Sequence, residues 1–372
     1  MLEKYISIKM RVNPVNNTIN NTDDIKSTSL FPKKKNVFFI EGGGTKGVYA
    51  MGVLNYLYDE NVYIKLQDVD IFGGTSVGSI LAVGLSLGYQ KKDFEKFVET
   101  FDLSKFVDSK YYAPFTLYRF LTKGHLYDDT NRQTLVKKIL NINIETIRSH
   151  LDLPIDSDFE GTDITFWHLK KLIKKYPQIY KHLLINSVDI SREQQIFMTT
   201  LDDNWDNIKL YDSILASSAF PFVFPSSKFY YNSTTQKYQY ESLTDTNDKI
   251  TENSFIDGGV ANNIPLDYLI LNSERFTDCN LWSLQFTTTP AYSKITGPIA
   301  LIQKLINFAF SYGRKSFGLE LIHEKYQVNV INLNLSANTF DTYNNNQIKE
   351  ITRQIYDQCL SGQLHFDNVD SQ

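Results

Sequence analysis

Residues 38–57 read FFIEGGGTKGVYAMGVLNYL, and the chain changes character twice within them. Phe38, Phe39 and Ile40 extend a short apolar run suited to a buried strand. Gly42, Gly43 and Gly44 break that run, and from Val48 the apolar residues recur at helical spacing. A glycine turn between a strand and a helix presents backbone amides, and the helix dipole adds to their pull on negative charge. Such a turn suits either a nucleotide phosphate or an oxyanion that exists only during a reaction.

The same pattern repeats downstream. VDIFGG (residues 69–74) reads as a second strand, GTSVGS as a turn and ILAVGLSLGY (residues 80–89) as a second helix. Strand, tight turn and helix in succession predict an α/β fold with a mostly parallel central sheet flanked by helices. Further helices are expected over about 90–106, 130–148, 298–324 and 345–360. Further strands are expected at HLLINSVDI, QQIFMTTL, LWSLQF and YQVNVINL. The polar stretch 232–253 reads as a hairpin with a surface loop. Residues 1–35 lack hydrophobic periodicity and end in Lys33-Lys34-Lys35, which predicts a flexible polar arm ahead of one domain over 36–372.

Composition removes several function classes. With 38 Lys and Arg against 42 Asp and Glu, the net charge of −4 carries no footprint for nucleic acid. Cys279 and Cys359 stand far apart and fit no metal spacing, so both are expected to be reduced structural thiols. Asp202, Asp203 and Asp206 cluster without calcium-loop spacing and read as a solvated turn. No cofactor or metal is expected. The N-terminus shows no secretory apolar core, and the longest apolar run, SILAVGLSLGY, is too short to span a membrane. A cytoplasmic or peripheral membrane protein is the expectation.

Gly74-Thr75-Ser76-Val77-Gly78 is a GxSxG sequence, which alone arises by chance in roughly one chain in ten of this length. Its place between strand and helix gives it weight, because a sharp turn there projects the Ser76 hydroxyl as a nucleophile. The competing reading is an ordinary turn in which Ser76 or Ser79 caps the helix. A nucleophilic serine needs a base and oxyanion donors. The amides of Gly42, Gly43 and Gly44 are candidate donors, and Asp257, in FIDGGV (residues 255–260), is the candidate base. Asp-Gly is equally a common turn dipeptide.

The order GGGTKG, GTSVG and DGG resembles the patatin-like phospholipase family, whose members are lipid acyl hydrolases with a three-layer α/β/α sandwich. The resemblance implies Ser76 as nucleophile, Asp257 as base of a Ser-Asp dyad and Gly42, Gly43 and Gly44 as the oxyanion turn. Lys46, Gly47, Gly74, Gly78, Gly258 and Gly259 would be supporting motif residues. ASSAFPFVFPS (216–226) and His125-Leu126-Tyr127-Asp128 are similar to two further family segments. Lys46 replaces the more usual arginine, and the insertion between Pro225 and Asp257 is longer than typical. The implied substrate is a phospholipid or other lipid ester, with peripheral membrane contact, room for a protein activator, and delivery into a host cell as one route for such chains. The aromatic-rich segments 106–121 and 299–313 are candidate acyl-groove or interfacial surfaces, or simply core faces.

Two other readings fit parts of the pattern. Ser76, Asp257 and either His323 or His365 satisfy the chain order of an α/β-hydrolase triad. Gly42, Gly44 and Gly47 fit the GxGxxG of a nucleotide-binding turn, with Glu60 or Asp68 as the ribose-binding acid.

Overall fold

A computed structural model describes residues 35–60, 64–100, 113–154, 156–240, 250–287, 326–335, 343–361 and 366–368, with isolated positions between 294 and 308. Residues 1–34, His323 and His365 lie outside the described residues, as do most of the expected helix 298–324 and of the segment 299–313.

Ten strands form one sheet: β1 (Lys35–Ile40), β2 (Ile71–Thr75), β3 (His182–Asp189), β4 (Gln194–Thr199), β5 (Ser227–Asn232), β6 (Lys237–Gln239), β7 (Ile250–Asp257), β8 (Cys279–Thr287), β9 (Gln327–Asn334) and β10 (Phe366–Asn368). Their order is β10-β9-β8-β1-β2-β3-β7-β5-β6, with β4 also on β3. The centre, β9 through β3, is parallel, and the margins are antiparallel. β1 has β2 on one side and β8 on the other, so the direction of winding reverses there. Open α/β sheets bind ligands in the crevice beyond the strand ends at such a reversal, and the glycine turn after β1 lies in it.

Alternation along β1 divides the core. Phe38 and Ile40 face a large cluster with α1 (Gly47–Glu60), α2 (Val77–Ser86), α3 (Lys91–Thr100), α5 (Thr130–Leu140), α7 (Phe166–Lys175), α8 (Leu210–Ser217) and α10 (Asn345–Leu360). Val37 and Phe39 face a smaller cluster that includes Tyr268 and Leu269 of α9 (Asp267–Leu271). The period of two puts successive side chains in opposite layers. α1 and α2 are buried along most of their length because they fill the thicker layer.

Several sequence expectations need revision. The helix expected over 130–148 is two, α5 and α6 (Ile144–His150), separated by Asn141-Ile142-Asn143. Asparagine at both ends of that break favours caps and turns over helix interior. α4 (Ala113–Lys123), α7, α8 and the short edge strand β10 are additional elements. Asp202 pairs with Arg275 at 2.9 Å, and Asp203 and Asp206 both pair with Lys170 at 2.6 Å, so two cations offset most of the charge of this acidic, solvated turn. Cys279 and Cys359 are both buried. Among the described residues no group of three metal-ligating side chains occurs, and no helix is long and apolar enough to cross a membrane.

Candidate active site

Pairing register brings the two ends of the motif pattern together. β2 runs along one edge of β3 until Thr75 stands opposite Asn186. β7 takes over the same edge from the opposite direction and ends with Asp257 opposite Ser187, while β4 occupies the other edge. Neighbouring residues of β3 thus receive the last residue of β2 and the last residue of β7. Successive residues of a strand are only about 3.3 Å apart, so Ser76, next after Thr75, is delivered beside Asp257.

Ser76 is the whole turn between β2 and α2. Its backbone has φ 54° and ψ −126°, a region that side-chain-bearing residues seldom occupy. The flanking glycines permit it: a Cβ on Gly74 would lie 2.2 Å from the Gly78 carbonyl oxygen, and one on Gly78 would lie 2.2 Å from the Ile40 carbonyl oxygen. The Ser76 side chain caps nothing, so the capping alternative fails for it; Ser79 instead donates to the Ser76 carbonyl at 2.6 Å. The backbone amide of Ser76 donates to Ser217 Oγ at 2.9 Å, and Ser217 donates onward to the Asn186 carbonyl at 2.6 Å.

Asp257 is fully buried. Its Oδ1 accepts the Gly259 amide at 2.8 Å, and its own amide donates to the Ala219 carbonyl at 2.9 Å. Oδ2 has no partner of ordinary hydrogen-bond geometry. Burial pushes the carboxyl up to about 7, opposed by the Gly259 amide, by the nearby Ser76 hydroxyl and by the charge of Arg132. Ser76 therefore acts on the carboxyl from a distance or angle short of a formed bond, as catalytic contacts without substrate often do. Among the described residues, no histidine contributes to the Asp257 environment.

The glycine turn closes the third side. The amides of Gly42, Gly43 and Gly44 donate to no acceptor among the described residues, and they precede the short 3-10 turn Gly44–Lys46 that leads into α1. Gly42 abuts Ser76, since a Cβ there would lie 3.0 Å from Ser76 Cβ. The loop is pinned by Asn263, whose Nδ2 donates to Glu41 Oε1 at 2.9 Å and to the Gly42 carbonyl at 2.6 Å. Lys46 is buried beside this turn, and Gly47 packs so closely on Val77 that a Cβ would meet its Cγ2 at 2.5 Å. Gly258 lies against the Asn186 carbonyl. The glycine turn that leads into α1 and the start of α2 at Ser76 therefore lie side by side.

A model of patatin-like phospholipases matches residues 38–270, well over half of the chain. The chain belongs to the patatin-like phospholipase family. One relative of this patatin-like protein, named "Probable lipid hydrolase 463L", comes from Invertebrate iridescent virus 6; it is 28% identical over 263 residues, covering 70% of this chain and 73% of the relative. Two solved structures share 15% identity with it. VipD from Legionella pneumophila superposes with a TM-score of 0.47 over 88% of this chain, and the type III effector protein ExoU with 0.42 over 90%. The chain spans 66% and 55% of those two proteins' lengths.

Four buried residues of the patatin-like site escaped the motif reading. Asn186 donates to Thr75 Oγ1 at 3.3 Å and to the Gly258 carbonyl at 3.1 Å, tying the segment before Ser76 to the segment after Asp257. Ser217 and Asn263 hold the elbow and the glycine turn as described. Arg132 is forked onto Asp129, donates to the Leu215 carbonyl at 2.9 Å and Ser218 Oγ at 3.0 Å, and so steadies the end of α8. Ser217 lies inside the ASSAFPFVFPS segment that the sequence did single out, and the Leu126 and Tyr127 amides bond to the Phe222 and Val223 carbonyls of the same segment. The two secondary motifs are therefore one brace. Of the nucleotide reading little survives: Glu60 ends α1 and Asp68 sits in a 3-10 turn, neither at a strand end.

Proposed function

We propose that this lipid acyl hydrolase cleaves carboxylic esters through an acyl-enzyme on Ser76, with Asp257 as its only base and the amides of Gly42, Gly43 and Gly44 as the oxyanion hole. The observation that carries the reading is the meeting of a strained, outward-turned serine with a buried aspartate along one edge of β3. Ser76 Oγ attacks the ester carbonyl and passes its proton to Asp257. The oxyanion takes the glycine amides, and the alcohol leaves with the proton from Asp257. Water then attacks the acyl group, gives its proton to Asp257, and the acid departs as Ser76 recovers a proton. An ordinary aspartate is a poor base for a hydroxyl. Burial that lifts the carboxyl to about 7 narrows that gap while leaving a sizeable ionised fraction at neutral pH.

One sheet from Lys35 to Asn368 supports a single hydrolase domain that opens at Lys35, one residue ahead of the expected boundary at 36, with the residues before it as an appended arm. Tyr118 and Leu121 of α4 and Phe222 are exposed, and Phe120 packs against Phe222 at 6.1 Å between ring centroids. Phe222 follows Ala219, the anchor of Asp257, so this apolar rim is placed to meet lipid, and a peripheral membrane or cytoplasmic location goes with it. The test is reaction with a fluorophosphonate probe and a panel of lipid esters. Ser76→Ala is expected to lose both labelling and hydrolysis, and Asp257→Asn to lose hydrolysis at least about 100-fold while staying folded. Near wild-type hydrolysis by purified Asp257→Asn refutes the dyad.

The raised carboxyl also sets pH dependence in two directions. Activity needs the ionised base, so kcat/KM should climb through about pH 7 and level off above it. Stability runs the other way: between pH 4 and 7 the folded state holds a proton that the unfolded state has released, so stability falls as pH rises through that window. Asp257→Asn should flatten both profiles, read by initial rates and by denaturation midpoints between pH 5 and 9.

A further inference from the structure

We infer that Asn263 holds the water that deacylates the enzyme, an assignment that rests on the acyl-Ser76 reading above. Both Nδ2 protons of Asn263 are committed, one to Glu41 Oε1 and one to the Gly42 carbonyl. That pair of acceptors fixes which way the amide faces, since an oxygen turned toward them would meet two further oxygens. Oδ1 is consequently the free end, and it has no hydrogen-bond partner although Asn263 is 1% exposed. Leaving a buried acceptor without a donor is costly, and a bound water or a part in catalysis is among the reasons a protein retains one.

The location of Oδ1 gives that molecule a task. Oδ1 lies 2.5 Å, and Ser76 Cβ 3.0 Å, from the point where a Gly42 Cβ would sit, so the free oxygen borders the nucleophile and the oxyanion turn at once. Asp257 Oδ2, also beside Ser76, is another buried acceptor without a formed bond. A water has two protons to give. With one directed to Asn263 Oδ1 and one to Asp257 Oδ2, its lone pair is left for the acyl carbon on Ser76. As the C–O bond forms, the proton facing Asp257 transfers to it, and the carbonyl electrons move onto the oxyanion. Collapse then breaks the bond from carbon to Ser76 Oγ, and the Asp257 proton goes to Oγ. Throughout, the remaining proton stays on the water oxygen, hydrogen-bonded to Asn263 Oδ1, and becomes the hydroxyl proton of the released acid. In acylation there is no water to hold, so this contact weighs on deacylation alone, over and above the brace of the glycine turn that serves both half-reactions.

Pre-steady-state hydrolysis of a p-nitrophenyl ester, with intact-mass detection of acyl-Ser76, tests the assignment. In Asn263→Ala both rates should fall as the glycine turn loses its two bonds, and the steady-state rate should fall about 10- to 100-fold further than the burst rate. Acyl-enzyme should accumulate, and hydroxylamine, a nucleophile that needs less help than water, should restore turnover. Asn263→Asp keeps an oxygen acceptor but loses both donors to the turn, so it should retain the wild-type ratio of burst to steady-state rate even where both rates drop. An equal fall in burst and steady-state rates for Asn263→Ala, with no accumulation, overturns the assignment and leaves Asn263 as a brace of the oxyanion turn. Absence of any acyl adduct on wild-type Ser76 instead brings down the covalent mechanism itself.

Discussion

Two strand-to-helix turns stand side by side at the end of this sheet, one after β1 and one after β2, and they are strained in opposite ways. The first, Gly42 to Gly44, places its positive φ of 57° on a glycine and leaves its amides empty. The second compresses the reversal into Ser76, whose φ of 54° falls on a residue with a side chain, and its amide is satisfied by Ser217. One turn gives up side chains to present backbone; the other accepts backbone strain to present a side chain. A site that attacks a carbonyl and then stabilises the resulting charge needs both, and neither sequence would serve in the other's place.

That contrast can be broken most sharply at Ser76. Ser76→Gly relieves a backbone conformation worth about 1–3 kcal/mol, partly offset by about 0.5–1 kcal/mol of glycine chain entropy. The variant should unfold at higher denaturant than wild type while losing at least about 1,000-fold in hydrolysis. A variant less stable than wild type refutes the idea of stored strain. Gly42→Ala should act inversely, since its Cβ would meet Asn263 Oδ1 at 2.5 Å and must shift the turn. Displacing one oxyanion donor costs about 100- to 1,000-fold in kcat, and unchanged kcat would show that the turn does not hold the oxyanion. The smallest effect is expected at Ser217→Ala, which leaves the Ser76 amide and one lone pair of Asn186 unmatched. A stability loss of about 1–3 kcal/mol and a roughly ten-fold fall in kcat, seen in denaturation and initial-rate measurements, would place Ser217 as a prop of the elbow.

The parts of the site that were legible in the sequence are those where a local backbone demand dictates residue type. Gly74 and Gly78 are glycine because carbonyls press on them, and that demand writes itself into five adjacent letters around Ser76. Asp257 was readable for its glycines and its order in the chain. Asn186, Ser217 and Asn263 follow no such local rule: Ser217 reaches Ser76 across 141 positions, and Asn263 reaches Gly42 across 221. An isolated polar residue in a strand or helix looks the same whether it caps, solvates or braces, and only register reveals which. Fold class survived the same test because alternating strand and helix signals are local too. The break at Asn141–Asn143 was missed because helical periodicity continues across it, whereas the two asparagines mark it.

The junction on β3 has a consequence for how this protein can change over generations. Asn186 and Ser187 act as a shared abutment, receiving one strand from each direction, so the spacing of Ser76 and Asp257 is set by a single peptide unit rather than by the 180 residues between them. Lengthening the polar segment ahead of β7 adds chain outside that abutment. Insertions there can accumulate, and new loops can be tried for new lipid surfaces, without retuning the reacting pair.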